Sequence, residues 1–160
     1  ANEPCAVTFW LHKYQVKLDH SFWLLARECT QEERLRLLQW KILHNIYPTN
    51  ILLNKMKIKE TKLCTFCKHV DYVEHFFWQC EQLNSFWNNV SNCILKNTGV
   101  NVQLSERDVL FGYQPSKITQ QNKIINHIIL IAKMCISKYK YGERYDLNII
   151  LEKELYVRKL

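Results

Sequence analysis

Four residues of this chain have the types and the spacing to hold a metal ion: Cys64, Cys67, His75 and Cys80. Cys64-Thr-Phe-Cys67 supplies two thiolates from one tight turn, which lets both sulfurs approach a single tetrahedral cation. Seven residues lead on to His75 and four more to Cys80, so the pattern reads C-x2-C-x7-H-x4-C. Three thiolates and an imidazole close the shell and leave no place for water or substrate. Such sites are structural, and the ion's binding energy is folding energy. One structural zinc ion is expected. His69 matches by type, but it follows Cys67 so closely that its chelate loop would be strained.

The other cysteines, Cys5, Cys29, Cys93 and Cys135, read as small buried hydrophobes. His12, His20, His44 and His127 stand alone, without ligand-spaced partners. No nucleophile–base pair stands out, and the 15 acidic residues are scattered with no polymerase Y-x-D-D. No enzyme is expected.

Basic residues crowd the approach to the cysteines. Lys55, Lys57, Lys59 and Lys62 alternate with Met56 and Ile58, Lys68 follows Cys67, and Arg34, Arg36 and Lys41 lie just upstream. Residues 31–70 hold eight basic and three acidic side chains, within a chain whose formal charge is +7. Packed together these eight residues could form a phosphate-contacting patch, with Phe66 or His69 available to stack on a base. The alternative is an ordinary solvated face.

The elements that must position these groups read as helices. Only 3 Gly and 3 Pro in 160 residues argue against a sandwich of short strands, and 48% apolar residues are ample for a core. Residues 6–28 predict one or two short helices around Lys17-Leu18-Asp19. Thr30 to Glu33 matches a capping box, and Leu35, Leu38, Ile42 and Ile46 follow at helical spacing until Tyr47-Pro48. A short helix is expected from Ile51 to Met56. Phe76, Cys80, Leu83, Trp87, Val90 and Ile94 form a second periodic stretch, stopped by Gly99. Trp78 and Trp87 read as core. Residues 100–117 read as a loop with one turn near Ser105. From about 119 to 140 the face Ile125, Ile128, Ala132, Cys135 and Tyr139 predicts a helix ended by Tyr141-Gly142. Asp146 caps a last helix holding Leu147, Ile150, Leu151 and Leu155. The expected fold is mainly α: a small helical domain with a CCHC zinc knuckle between helices. Its segments are 1–30, 31–98 and 99–160.

Seven cysteines, an odd number, exclude a fully paired disulfide scaffold, and a C-x-x-C points to metal binding in a reducing compartment. No signal peptide opens the chain, and the apolar run Ile124–Ile136, broken by Asn126, His127 and Lys133, is too short to span a membrane. The expected location is intracellular, in the nucleus or in cytoplasmic ribonucleoprotein, and not secreted. Ala1 in place of Met suggests a piece of something longer.

The words LQWKILHNIYPTN (38–50), KLCTFC (62–67), EHFFWQC (74–80) and FW (86–87) resemble the zinc-binding region that follows the reverse transcriptase in non-LTR (LINE-type) retrotransposon polyproteins. DVLFGY (108–113), INHIILIAKMCISKYKY (125–141) and ILEKELYVRKL (150–160) are similar to the extreme C-terminus of those polyproteins. The resemblance implies that Cys64, Cys67, His75 and Cys80 are the family's Cys-Cys-His-Cys set. It further implies binding of RNA, and of target DNA, during target-primed reverse transcription, with catalysis supplied elsewhere in the parent protein. Two roles follow as expectations. One is a non-catalytic module that binds RNA or single-stranded DNA with low sequence specificity. The other is a protein-interaction module that docks on the polymerase or another protein.

Overall fold

A computed structural model describes residues 3–115, 119–142 and 145–160. Among these residues the chain is mainly helical, as expected. It has no β-strand and one isolated antiparallel bridge, between Leu63 and Val70. The helices are α1 (Cys5–Tyr14), α2 (His20–Cys29), α3 (Glu33–Leu43), α4 (Asn50–Lys55), α5 (Asn84–Thr98), α6 (Glu106–Phe111), α7 (Gln120–Tyr141) and α8 (Leu147–Val157).

The break near Asp19 is real. Its side chain accepts from the Ser21 N–H at 2.9 Å and starts α2. Asp146 likewise accepts from the Asn148 and Ile149 N–H groups and starts α8, whose Leu147, Ile150, Leu151 and Leu155 are all buried.

Three expected boundaries are corrected. The capping box at Thr30 does not form, because α3 begins three residues later. The Thr30 hydroxyl instead accepts from the Glu32 N–H, and Glu33 pairs with Arg36. A capping box does form at Ser105 and Asp108, opening α6 where a loop was expected; positions 116 and 117 of that loop lie outside the described residues. Finally, α3 ends well before Pro48. Asn45 adopts a left-handed φ of 53°, and the Ile46 N–H returns to the Lys41 carbonyl at 2.9 Å. This Schellman-type stop leaves Ile46 exposed instead of extending the apolar stripe.

Helix α7 is the axis of the molecule. It packs against α2, α3, α5 and α8, and every side chain from Ile128 to Ile136 is buried. A helix surrounded by others has no polar face to contrast with an apolar one, so the single stripe read from periodicity was only part of its contact surface. The buried stretch includes Lys133, whose Nζ donates to the Val109 carbonyl at 2.7 Å and to Gln39 Oε1. Gln39 in turn donates to the Leu110 carbonyl at 3.0 Å. This polar cluster joins α3, α6 and α7 inside the core. Burial lowers the Lys133 pKa to about 7.

A candidate metal centre between a knuckle and a widened helical turn

The first two cysteines lie on a short hairpin. Its ends are held by the Leu63–Val70 bridge, and the Cys64 N–H donates to the His69 carbonyl at 2.7 Å. The chain turns back at Lys68, whose φ is 64°, and the Lys68 N–H returns to the Cys64 carbonyl at 3.0 Å. Asn50, at the start of α4, anchors this hairpin. Its Nδ2 donates to the Leu63 carbonyl at 2.8 Å, and its backbone N–H donates to the buried Asp71 carboxylate at 3.0 Å. Burial raises the Asp71 pKa.

His75 and Cys80 come from a turn of π-helix over His75–Gln79. In an α-helix, residues five apart point about 140° away from one another. Here the Cys80 N–H bonds to the His75 carbonyl at 3.0 Å, five residues back, and this wider turn returns both side chains to one side. Cys80 then adopts an extended conformation, φ −60° and ψ 128°, before the chain resumes helix toward α5. The periodic stretch expected through Cys80 is therefore interrupted at the residue that must point at the metal.

The four ligand atoms converge within 4.8 Å of one another. Cys64 Sγ lies 3.9 Å from Cys80 Sγ, and Cys67 Sγ lies 3.1 Å from His75 Nε2. Sulfurs about 2.3 Å from a tetrahedral zinc ion would be about 3.8 Å apart, so the sulfur pair fits that ion. Cys64, His75 and Cys80 are buried and Cys67 is half-buried. Burial lowers the His75 pKa to about 4, which keeps the imidazole in the neutral form a metal requires. Burial also pushes the Cys80 thiol up to about 11, against the pull of Lys140. A cation at the centre would reverse that cost, because the thiolate is the ligand form. These four residues form a potential metal site, and the donor set and spacing fit zinc. His69 is exposed and stays outside the cluster, its ring centroid 5.9 Å from that of His75.

Helix α7 packs on the centre with groups that sequence reasoning did not connect to it. Lys140 Nζ donates to the Phe76 carbonyl at 2.9 Å and lies 4.6 Å from the centre of the Phe76 ring. Tyr139 stacks on Phe66, with ring centroids 5.4 Å apart and planes 18° from parallel. Phe66 is half-buried with one ring face taken by Tyr139, so it is not the wholly free tip that was expected. Residues distant in sequence carry no spacing signal, so α7 could not have been placed here by pattern alone.

The eight basic residues divide into two groups. Arg34, Lys55, Lys57, Lys62 and Lys68 are exposed, and Lys41 is half-exposed. Among the described residues none of these six makes an ion pair. Arg36 is engaged internally, donating to the Thr30 carbonyl at 2.8 Å, Gln31 at 2.9 Å and Glu33 at 2.7 Å. Lys59 donates to Asn50 Oδ1 at 2.9 Å and lies over the Tyr141 ring. Met56 and Ile58, between the exposed lysines, are themselves 59% and 63% exposed. Trp87 is buried, with its Nε1 donating to the Phe77 carbonyl at 2.8 Å, while Trp78 is only half-buried.

The geometry defines a helical protein carrying a closed Cys3His centre. Residues 30–87 match the family described as zinc-binding in reverse transcriptase, a span that contains all four ligands and ends in the first turn of α5. That family is a metal-binding one and not a catalytic one. No curated protein and no solved structure matches the chain. No helix among the described residues is long and apolar enough to cross a membrane.

Proposed function

We propose that this chain is a zinc-stabilised nucleic-acid-binding module of the non-LTR (LINE-type) reverse-transcriptase kind, without catalysis of its own. The observation that carries the reading is the closeness of a closed metal centre to lysines that, among the described residues, make no ion pair. The hairpin presents Lys62 and Lys68, α4 ends on Lys55, and Lys57 stands just beyond it. Zinc would fix the backbone on which these charges are mounted. Arg34 and Lys41 on α3 extend the set, whereas Arg36 and Lys59 support the structure. The partner would be RNA or single-stranded DNA, held mainly through phosphates.

Binding of a single-stranded RNA to zinc-loaded protein, followed across salt concentration, tests this. Six phosphate contacts on a single strand give a slope of log K against log salt of about −4. Absence of binding at low salt would end the reading.

A second reading is favoured by α8, where Ile149, Tyr156 and Val157 are exposed together with the nearby Tyr145. Large exposed apolar groups of this kind suit a protein partner, such as the polymerase of a parent polyprotein. Binding to such a partner that is lost in Tyr156→Ser and unchanged by salt would favour it.

A further inference from the structure

An open cleft of about 530 Å³ lies beside the widened turn, outside the metal centre. The indoles of Trp78 and Trp87 line it, with centroids 5.9 Å apart and planes at 39°. Trp87 is buried and held by its bond to Phe77, so it forms a fixed backing, while half-buried Trp78 faces solvent in part. Around the indoles stand Asn84 and Asn88, one helical turn apart on α5, and Gln103 from the segment before α6. These three amides are exposed, and their side chains make no hydrogen bond with any described residue. Among the described residues no charged side chain lines the cleft.

That composition selects a ligand. A phosphate would call for Lys or Arg, and an aliphatic side chain would call for an apolar lining. A primary amide offers coplanar donors and an acceptor, the complement of a nucleobase edge, and an indole offers a face on which a base stacks. We propose that the Trp78 cleft takes an unpaired nucleobase of a single-stranded nucleic acid, stacked on Trp78 and contacted along its edge by Asn84, Asn88 and Gln103. This rests on the nucleic-acid reading above and adds base contact to phosphate contact.

The test compares wild type, Trp78→Ala and the double variant Asn88→Ala/Gln103→Ala, all zinc-loaded. The probes are 12-nucleotide single strands of adenine, cytosine or uracil and an abasic strand of equal charge. At least one base-bearing strand should bind wild type about 5- to 150-fold more tightly than the abasic strand, the range for stacking of a base on an aromatic side chain. Both variants should lose that gap while keeping the wild-type salt slope. Because Asn88 and Gln103 are exposed, the double variant tests the cleft even if Trp78→Ala disturbs the adjoining Cys80. Equal binding of abasic and base-bearing strands by wild type, or a gap that survives in either variant, overturns the cleft and leaves the phosphate reading standing. Failure of every strand to bind at low salt overturns both. Quenching of tryptophan fluorescence by a neutral oligosaccharide and by no oligonucleotide would assign the cleft to sugars and overturn the proposal.

Discussion

The Arg158 guanidinium grips the Glu32 carboxylate through two bonds, Nε to Oε1 at 2.5 Å and Nη2 to Oε2 at 2.7 Å. Glu32 precedes α3 and Arg158 follows α8, so the fork joins the start of the zinc-binding segment to the end of the last helix. Arg158 also holds Glu154, through Nη1 at 2.7 Å.

Loss of this fork should be measurable. Arg158→Ala is expected to lower stability in urea by about 1–2 kcal/mol, because the pair is charge-assisted and only partly exposed. Arg158→Lys should recover less than half, since an ammonium cannot bond both oxygens in parallel. Hydrogen bonds from Arg158 hold the Glu32 pKa below the usual carboxylate value. The contribution is therefore complete at neutral pH and disappears as pH falls through the acid range. Wild type and Arg158→Ala should converge in stability there.

Metal content gives the second expectation. Purified protein should carry about one zinc per chain, and cobalt in its place should show thiolate charge-transfer absorption. Cys64→Ser or Cys80→Ser should lose the ion, and with it cooperative unfolding. Retained zinc at wild-type affinity in Cys80→Ser would contradict a four-ligand centre.

Lys133 sets up a pH effect of the same sign in a more alkaline window. Its pKa falls on folding, to about 7, so the unfolded chain binds more protons between about pH 7 and 10. Stability from this residue must rise with pH across that window. Lys133→Met removes the term, so wild type minus variant should climb from pH 7 to 10. A flat difference would mean that the ammonium is not shielded as the structure has it.

The sequence announced the ligands and most helices, because those depend on neighbours a few residues away. Cys64, Cys67, His75 and Cys80 converge as their spacing implied, and Asp19, Gly99 and Asp146 bound helices where expected. It did not announce the roles of Asn50, Asp71, Tyr139 and Lys140 around the centre, since each acts on residues far along the chain. Lys133 misled in a similar way: a lysine in an apolar run reads as an interruption, yet Gln39 and the Val109 carbonyl give it a buried partner set. Thr30 misled because its hydroxyl serves a turn before α3 instead of the helix itself.

Asn45 offers a local test of that turn chemistry. With φ at 53°, Asn45→Ala should cost about 1 kcal/mol, while Asn45→Gly should be neutral or better. Thermal melts of the two variants distinguish this stop from one set by Pro48.

The two kinds of arginine and lysine can be separated by one comparison. Arg36→Ala should lower stability by about 1–3 kcal/mol, since it strips bonds from the Thr30 carbonyl and its neighbours. Lys57→Ala and Lys62→Ala should leave stability unchanged, and each should make the RNA salt slope shallower by about 0.7. The reverse pattern would place the phosphate contacts elsewhere.

The wide turn at His75 carries an implication for which insertions and deletions the molecule can absorb. The stretch between Cys67 and His75 is exposed at Lys68, His69 and Tyr72 but buried at Asp71, Val73 and Glu74, and its hairpin bonds to Lys62 and Cys64 fix its length on that side. The four residues after His75 are matched to the wide turn: at ordinary helical winding residues five apart point to different sides, so this spacing serves the centre only while the Cys80 N–H reaches back to the His75 carbonyl. A related chain with one residue fewer after the histidine should therefore have ordinary α winding there in place of the wide turn.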